Sequence, residues 1–307
     1  MLASQSQGLT AYYEVTTLCT LRCPHCHVSP KLRHANPKTR SYDDMLKDFL
    51  RLQQLGVSKL VISGGEPTLH PKLFEALDNA TSYFKDIALI SNGTNPETLN
   101  ELSYFIEVWM SLDYSGSRQD AFRRHVGLWA NYLVVSEKVN VRSTLMKDNL
   151  EDLKALATRV RDNGRKMTIV PYKTLKDDEY TPTSDGLQGL IRFIFQNNMA
   201  EHVVIDDCMT RMVIANHIGS EDYVGCTACR NIFRVTSEGN VTPCPFLPEV
   251  IGNLHDPQIH ERLIKKHDEL LQTYSQRCLD CQYRGKCGGC KATTNNHCLL
   301  KMTKTEL

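Results

Sequence analysis

Two periods of apolar residues run along this chain. Residues 12–18 are apolar and β-branched, with Tyr13, Val15 and Thr17 on one alternation, which predicts a strand. Residues 41–55 change the period. Ser41 and two aspartates read as a helix N-terminus, and Met45, Phe49 and Leu52 then recur at i, i+4 and i+7 until Gly56 stops the pattern. A second strand is predicted at 58–63, with a helix from 71 to 81 after it. Further strands are predicted at 86–91, 106–112, 139–146 and 166–171, each followed by a helical or turn-rich stretch. Six short strands alternating with helices predict an α/β protein with a mostly parallel sheet. Six units fit a partial (β/α)6 TIM-like barrel better than a closed eightfold one, although an open doubly wound sheet has the same periodicity.

Beyond residue 225 the pattern changes. IFRVTSEGNVTPC alternates as a hairpin with SEGN as its turn, and 260–274 is amphipathic at helical spacing. The expected organisation is a barrel over 1–200, a bridging segment over 201–225, and a small cysteine-rich domain over 226–307. The chain of 307 residues is long enough for that arrangement. Its net charge of +1 gives no overall field for nucleic acid or membrane. The first twenty residues lack a basic start and a continuous apolar core, and no apolar run reaches the ~20 residues of a membrane helix. A cytoplasmic location is the resulting expectation.

In such folds chemistry gathers where strands end, and the polar words fall there. Cys19, Cys23 and Cys26 follow strand 1, Gly64-Gly65-Glu66-Pro67 follows strand 2, and Ser91-Asn92-Gly93 follows strand 3. Ser111 and Asp113 end strand 4, and Arg142 lies on strand 5. The chain has twelve cysteines, which in a cytosolic protein point to ligation or catalysis rather than disulfides. Thiolates select zinc or iron–sulfur clusters. Zinc needs a fourth ligand, which His27 could supply. Three cysteines alone suit a [4Fe–4S] cluster with one iron open to a small chelating molecule. The two glycines permit close backbone approach to a ligand, and Glu66 offers an acceptor for a ligand ammonium; as a plain strand–helix turn, the same word puts Pro67 near the start of a helix.

The C-x3-C-x2-C word after strand 1, paired with GGEP after strand 2, resembles the radical S-adenosylmethionine (SAM) enzymes across about residues 12–171. The resemblance implies that Cys19, Cys23 and Cys26 hold the cluster and that the SAM amine and carboxylate chelate its open iron. It places His25 near the adenine and Gly64, Gly65 and Glu66 at the methionyl amine. Ser91, Asn92, Ser111 and Arg142 match later cofactor-binding positions by order. One electron from the cluster would cleave SAM to a 5′-deoxyadenosyl radical that abstracts a substrate hydrogen, which implies an electron donor of flavodoxin or ferredoxin type.

The cysteines from 226 to 298 resemble the SPASM extension of many such enzymes, which holds two auxiliary [4Fe–4S] clusters. By its order, Cys226, Cys229, Cys244 and Cys290 would bind one cluster, and Cys278, Cys281, Cys287 and Cys298 the other. A pair of zinc ribbons is the alternative for these knuckles, and a zinc-binding interaction protein is the corresponding non-enzyme reading. Residues 243–256 look like the matching segment of tetrapyrrole and quinone-cofactor enzymes, and are expected to lie in the cluster scaffold rather than the substrate pocket. Cys208 falls outside every ligand word. It is either a small buried hydrophobe or a hydrogen-atom donor, and Asp113 is a base, a ribose contact or a helix cap. Only eleven residues precede strand 1, so no fused peptide-recognition domain is expected there. The expected substrate is a peptide or protein, to be cross-linked, oxidised or epimerised. The alternative is a small molecule, such as a tetrapyrrole or sugar, undergoing decarboxylation, epimerisation or dehydrogenation.

Overall fold

In the computed structural model, residues 8–28, 31–174, 178–207, 210, 225–273 and 289–293 are described. The first strand, β1 (Leu9–Thr16), sends Ala11, Tyr13 and Val15 into the core and leaves Tyr12 and Glu14 on the opposite face. Alternation of this kind recurs in β2 (Val57–Gly64), β3 (Asp86–Ser91), β4 (Glu107–Ser111), β5 (Val139–Leu145) and β6 (Met167–Pro171). Leu60 and Ile62, Leu89, Val108 and Met110, Val139 and Val141, and Met167 and Ile169 are all fully or almost fully buried in one core.

Helices α1 (Tyr42–Gln54), α2 (Leu73–Thr81), α3 (Pro96–Leu102), α4 (Ser117–Arg123), α5 (Leu128–Val134), α6 (Leu150–Asp162) and α7 (Ser184–Gln196) follow in chain order. The cap expected at Ser41 is present: its hydroxyl accepts from the Asp44 amide at 3.2 Å. Met45, Phe49 and Leu52 are the buried stripe of α1. Apolar burial of these stripes against the outer face of the sheet is the main stabilising term of such a layered fold.

Strands β1 to β6 pair in parallel and in sequence order, and β7 (Val203–Ile205) extends that row beyond residue 200. On the other side β8 (Ile232–Val235) pairs in parallel with β1, and β9 (Asn240–Thr242) and β10 (Gly252–Asn253) continue antiparallel. The result is one ten-stranded mixed sheet with β10 and β7 at its two edges, and it is open among the described residues. The expected hairpin is therefore real, but it is built onto the first strand of the parallel sheet. Phe233, Val235, Val241, Leu254, Ile259 and Leu263 belong to the same core as β1–β6. The amphipathic stretch near 260 is helix α8 (Ile259–Gln272).

Asp48 of α1 ties these parts together. Its fully buried carboxylate accepts from the Tyr13 hydroxyl at 2.5 Å and from Arg40 at 2.7 and 2.9 Å, and it meets His255 at 2.7 Å. No helix among the described residues is long and apolar enough to cross a membrane.

Candidate active site

The inner face of the sheet lines a cavity of about 230 Å3. Its wall takes Glu14 from β1, Ser63 from β2, Ile90 from β3, Ser111 from β4, Arg142 from β5 and Val170 from β6. The loop after β1 brings Cys19, Cys23 and Cys26 to the same wall, beside Gly64, Gly65, Ser91 and Asn92. All the polar words expected near the strand ends thus converge, except that Glu66 and Asp113 sit behind the lining.

The three thiols pack around Leu21 and Leu128. The Cys19 sulfur accepts from the Leu21 amide at 3.4 Å and from Asn92 Nδ2 at 3.6 Å. Burial raises the Cys19 pKa and pushes Cys23 up to about 11, with Arg123 opposing that shift at Cys23. A cationic group bound to them would remove the cost of ionising such buried thiols. Among the described residues no group of three or more His, Cys, Asp or Glu side chains is arranged to hold a single metal ion. His27, the fourth ligand that the zinc reading needs, places its ring edge-on to Phe246, centroids 6.2 Å apart. Three soft thiols at one cavity wall are a donor set that suits an iron–sulfur cluster.

The glycines of GGEP have a definite steric cause. A Cβ at Gly65 would lie 2.2 Å from the Thr17 carbonyl oxygen and 2.3 Å from that of Leu18, and one at Gly64 would lie 2.2 Å from Thr16 O. These residues let β2 close onto the end of β1, where the Gly65 and Glu66 amides donate to Thr16 O and Leu18 O at 2.7 Å each. The close approach is therefore to the strand that carries the cysteine loop.

Glu66 is fully buried. Its carboxylate accepts from Thr68 N at 3.1 Å, Thr68 Oγ1 at 2.8 Å, Ser91 Oγ at 2.8 Å and Asn92 N at 2.6 Å. Burial raises its pKa, opposed by those hydrogen bonds. The carboxylate thus couples GGEP to Ser91-Asn92, and Asn92 in turn reaches Cys19.

Asp113 is equally buried. Arg123 donates to it at 2.6 and 3.1 Å, the Thr144 amide donates at 2.8 Å, and His25 Nε2 lies 3.5 Å away. Burial pushes the Asp113 pKa up, but Arg123 and His25 outweigh it and hold the carboxyl below its usual range. His25 stacks on Phe122 with centroids 4.9 Å apart. Burial lowers its pKa to about 4, so the ring is neutral near pH 7. Its buried Nδ1 has no partner among the described residues, which leaves a polar edge for a ligand in the cavity that His25 lines.

A second cavity shares Tyr12, Ile90, Arg142, Lys173, Pro245 and Phe246 with the first, and Cys226, Cys244 and Cys290 line it. Cys229 lies close to Cys244; burial chiefly, then the Cys244 thiol, push its pKa up to about 12. Cys208, Cys278, Cys281, Cys287 and Cys298 lie outside the described residues. Pro245 and Phe246, expected in a cluster scaffold, line the second cavity with Cys226, Cys244 and Cys290 and also the main cavity with Arg234 of β8, because β8 docks on β1.

Sequence reasoning also missed Arg33, Arg123, Lys173 and Asp207. The last two form a buried ion pair at 2.5 Å. Period-2 alternation in IFRV, which puts Arg234 opposite Phe233 and Val235, was the one available signal for a charge facing inward.

The sequence profile of the Radical SAM superfamily matches residues 13–182. The chain belongs to the radical SAM superfamily. This radical SAM chain is 28% identical over 313 residues to the antilisterial bacteriocin subtilosin biosynthesis protein AlbA of Bacillus subtilis, covering 92% of this chain and 67% of AlbA. It is 22% identical over 338 residues to the AdoMet-dependent heme synthase of Methanosarcina barkeri, covering 95% and 93%. Its fold matches that of Streptococcus suis SuiB bound to the precursor peptide SuiA, with a TM-score of 0.73 at 16% identity, covering 96% of this chain and 76% of SuiB. The protein is an enzyme of this superfamily, whose members use SAM and a [4Fe–4S] cluster.

Proposed function

We propose that this radical SAM enzyme modifies a peptide, and that Cys19, Cys23 and Cys26 hold its SAM-binding cluster. When bound, the cluster supplies the electron that cleaves SAM and so initiates hydrogen abstraction. The observation that carries the residue assignment is the convergence of the three thiols, Gly64-Gly65 and Ser91-Asn92 on one cavity wall. Gly64 and Gly65 face SAM with their backbone. Ser91, Asn92, Ser111 and Arg142 supply polar contacts, and His25 offers Nδ1 beside the stacked Phe122 ring. Glu66 acts by positioning Ser91 and Asn92, and Asp113 by holding Arg123 and His25. Pro245 and Phe246 give one side of the cavity an apolar lining, which suits chemistry that must exclude water.

The SPASM-type assignment gives Cys226, Cys229, Cys244 and Cys290 to one auxiliary cluster and Cys278, Cys281, Cys287 and Cys298 to another. On this reading the catalytic unit spans 1–200, the bridge 201–225 and the extension 226–307, and a flavodoxin- or ferredoxin-type protein supplies electrons in the cytoplasm. The peptide reading is supported by the likeness to AlbA, a bacteriocin-biosynthesis protein, and to SuiB, whose structure holds a precursor peptide. The near end-to-end match to a heme synthase supports a small-molecule substrate as the second reading. Anaerobic turnover with SAM and reductant separates them. A peptide whose mass changes only when SAM is consumed supports the first; a tetrapyrrole altered under the same conditions, with peptides left intact, supports the second.

A further inference from the structure

Among the described residues, five cationic side chains line the main cavity: Arg33, Arg123, Arg142, Lys173 and Arg234. They fall into two kinds. Arg123 and Lys173 each have a close, fully buried aspartate, Asp113 at 2.6 Å and Asp207 at 2.5 Å. Among the described residues the other three have no carboxylate within hydrogen-bond length. Arg142 is 3.9 Å from Asp206, beyond hydrogen-bond length. Arg234 donates to the Pro245 carbonyl at 3.2 Å, and its Nη2 stands 3.8 Å from Glu14 Oε2, an ion pair longer than a hydrogen bond, while Glu14 Oε1 accepts two bonds from Ser237. Arg33, only 4% exposed, donates to Leu21 O at 3.2 Å. The buried Nε atoms of Arg33 and Arg234 have no partner among the described residues. Among the described residues, Glu14 is the one carboxylate in the lining.

A guanidinium withdrawn from water without an anion is costly, and its planar fork matches a carboxylate. SAM brings one carboxylate of its own, and Arg142 on β5 is the group assigned to SAM above. SAM also brings a sulfonium and an ammonium, which add positive charge to the cavity. Arg33 and Arg234 remain, and both line the same cavity as His27.

We propose that Arg234, supported by Arg33, binds a carboxylate of the substrate, so that the β8 hairpin selects an acidic substrate for this radical SAM site. The inference rests on the assignment of the cavity as the reaction site. The carboxylate can belong to an acidic peptide side chain or to a small organic acid. In either case a positive wall recruits it, and the second guanidinium sets its orientation.

The test uses reconstituted holoenzyme saturated with SAM and without reductant, so that no turnover occurs. Calorimetry compares two acids with their neutral isosteres: acetyl-Ala-Glu-Ala-amide against its Gln counterpart, and glutarate against glutaramide. At least one acid is expected to bind, its amide at least about tenfold more weakly. Arg234→Gln should lose that same factor, while Arg234→Lys should keep part of it. Binding of the peptide acid assigns the carboxylate to a peptide. Binding of glutarate alone leaves the arginine wall standing and overturns the peptide reading instead. If neither acid binds, if acid and amide bind alike to wild type, or if Arg234→Gln binds the acid as wild type does, the proposal is wrong. The acid–amide comparison on wild type decides even where a variant fails to fold.

Discussion

Gly65→Ala should disable the site without touching any cofactor-facing side chain. The added Cβ meets two backbone oxygens, Thr17 O at 2.2 Å and Leu18 O at 2.3 Å, where real contacts begin above 3.0 Å. Neither oxygen belongs to a side chain that can rotate away. The ends of β1 and β2 must therefore separate by nearly an ångström, and the two 2.7 Å bonds from the Gly65 and Glu66 amides are lost or stretched. Overpacking and two weakened hydrogen bonds together cost about 3 kcal/mol, a fall of roughly 5 °C in Tm for a chain of 307 residues. Because the oxygens lie one and two residues before Cys19, the displacement reaches the thiols. Iron retained after anaerobic reconstitution should fall with the stability. Gly56→Ala is the control. Its φ of 81° is strained for alanine, but nothing lies within 4 Å of the new Cβ. It should cost about 1–2 kcal/mol and leave iron unchanged. A Gly65→Ala protein with wild-type iron and a Tm no lower than that of Gly56→Ala would refute the steric account of GGEP.

Glu66→Gln turns one accepting oxygen into a donor that faces the Asn92 amide or the Thr68 and Ser91 donors. SAM affinity should fall by about tenfold as Ser91-Asn92 loosens, with iron unchanged; reduced iron at normal SAM affinity would mark a purely structural turn. Asp207→Asn removes the carboxylate that pairs with the buried Lys173 ammonium and should destabilise by about 3–5 kcal/mol in urea melts. Burial raises the Asp207 pKa, but Lys173 and Thr210 outweigh it and hold it below 3.8. The stabilisation from this pair is therefore complete above that value and disappears as pH falls through the lower folded-state pKa, so the variant's deficit should shrink in strong acid. If Cys208 donates a hydrogen atom, Cys208→Ala should keep forming 5′-deoxyadenosine while product falls; normal product formation reduces it to packing.

How much was legible follows from how local each feature is. β3 was read at its observed bounds because DIALIS is short, apolar and flanked by turns. Tyr13 and Val15 were placed together correctly because period 2 is a property of the backbone itself. β7 was missed: three residues give too little alternation to separate strand from loop. The parallel docking of β8 on β1 joins Thr10 to Ile232, a contact across most of the chain that no local period encodes. That Pro245 and Phe246 line the main cavity as well as the cysteine-bearing one follows from that docking. Glu66 was recognised as part of a ligand word, but its partners Ser91 and Asn92 lie at and just past the end of the next strand. Arg123, ten residues after Asp113, sits on a short helix whose orientation depends on packing.

The central claim is that Cys19, Cys23 and Cys26 hold the cluster that cleaves SAM. The direct measurement is 5′-deoxyadenosine formed by the reconstituted, reduced protein, alongside iron content, for wild type and the Cys19/Cys23/Cys26→Ala triple variant. Wild type should form 5′-deoxyadenosine with SAM, and the variant should lose about four irons per chain and form none. Continued formation of 5′-deoxyadenosine by the triple variant would contradict the account.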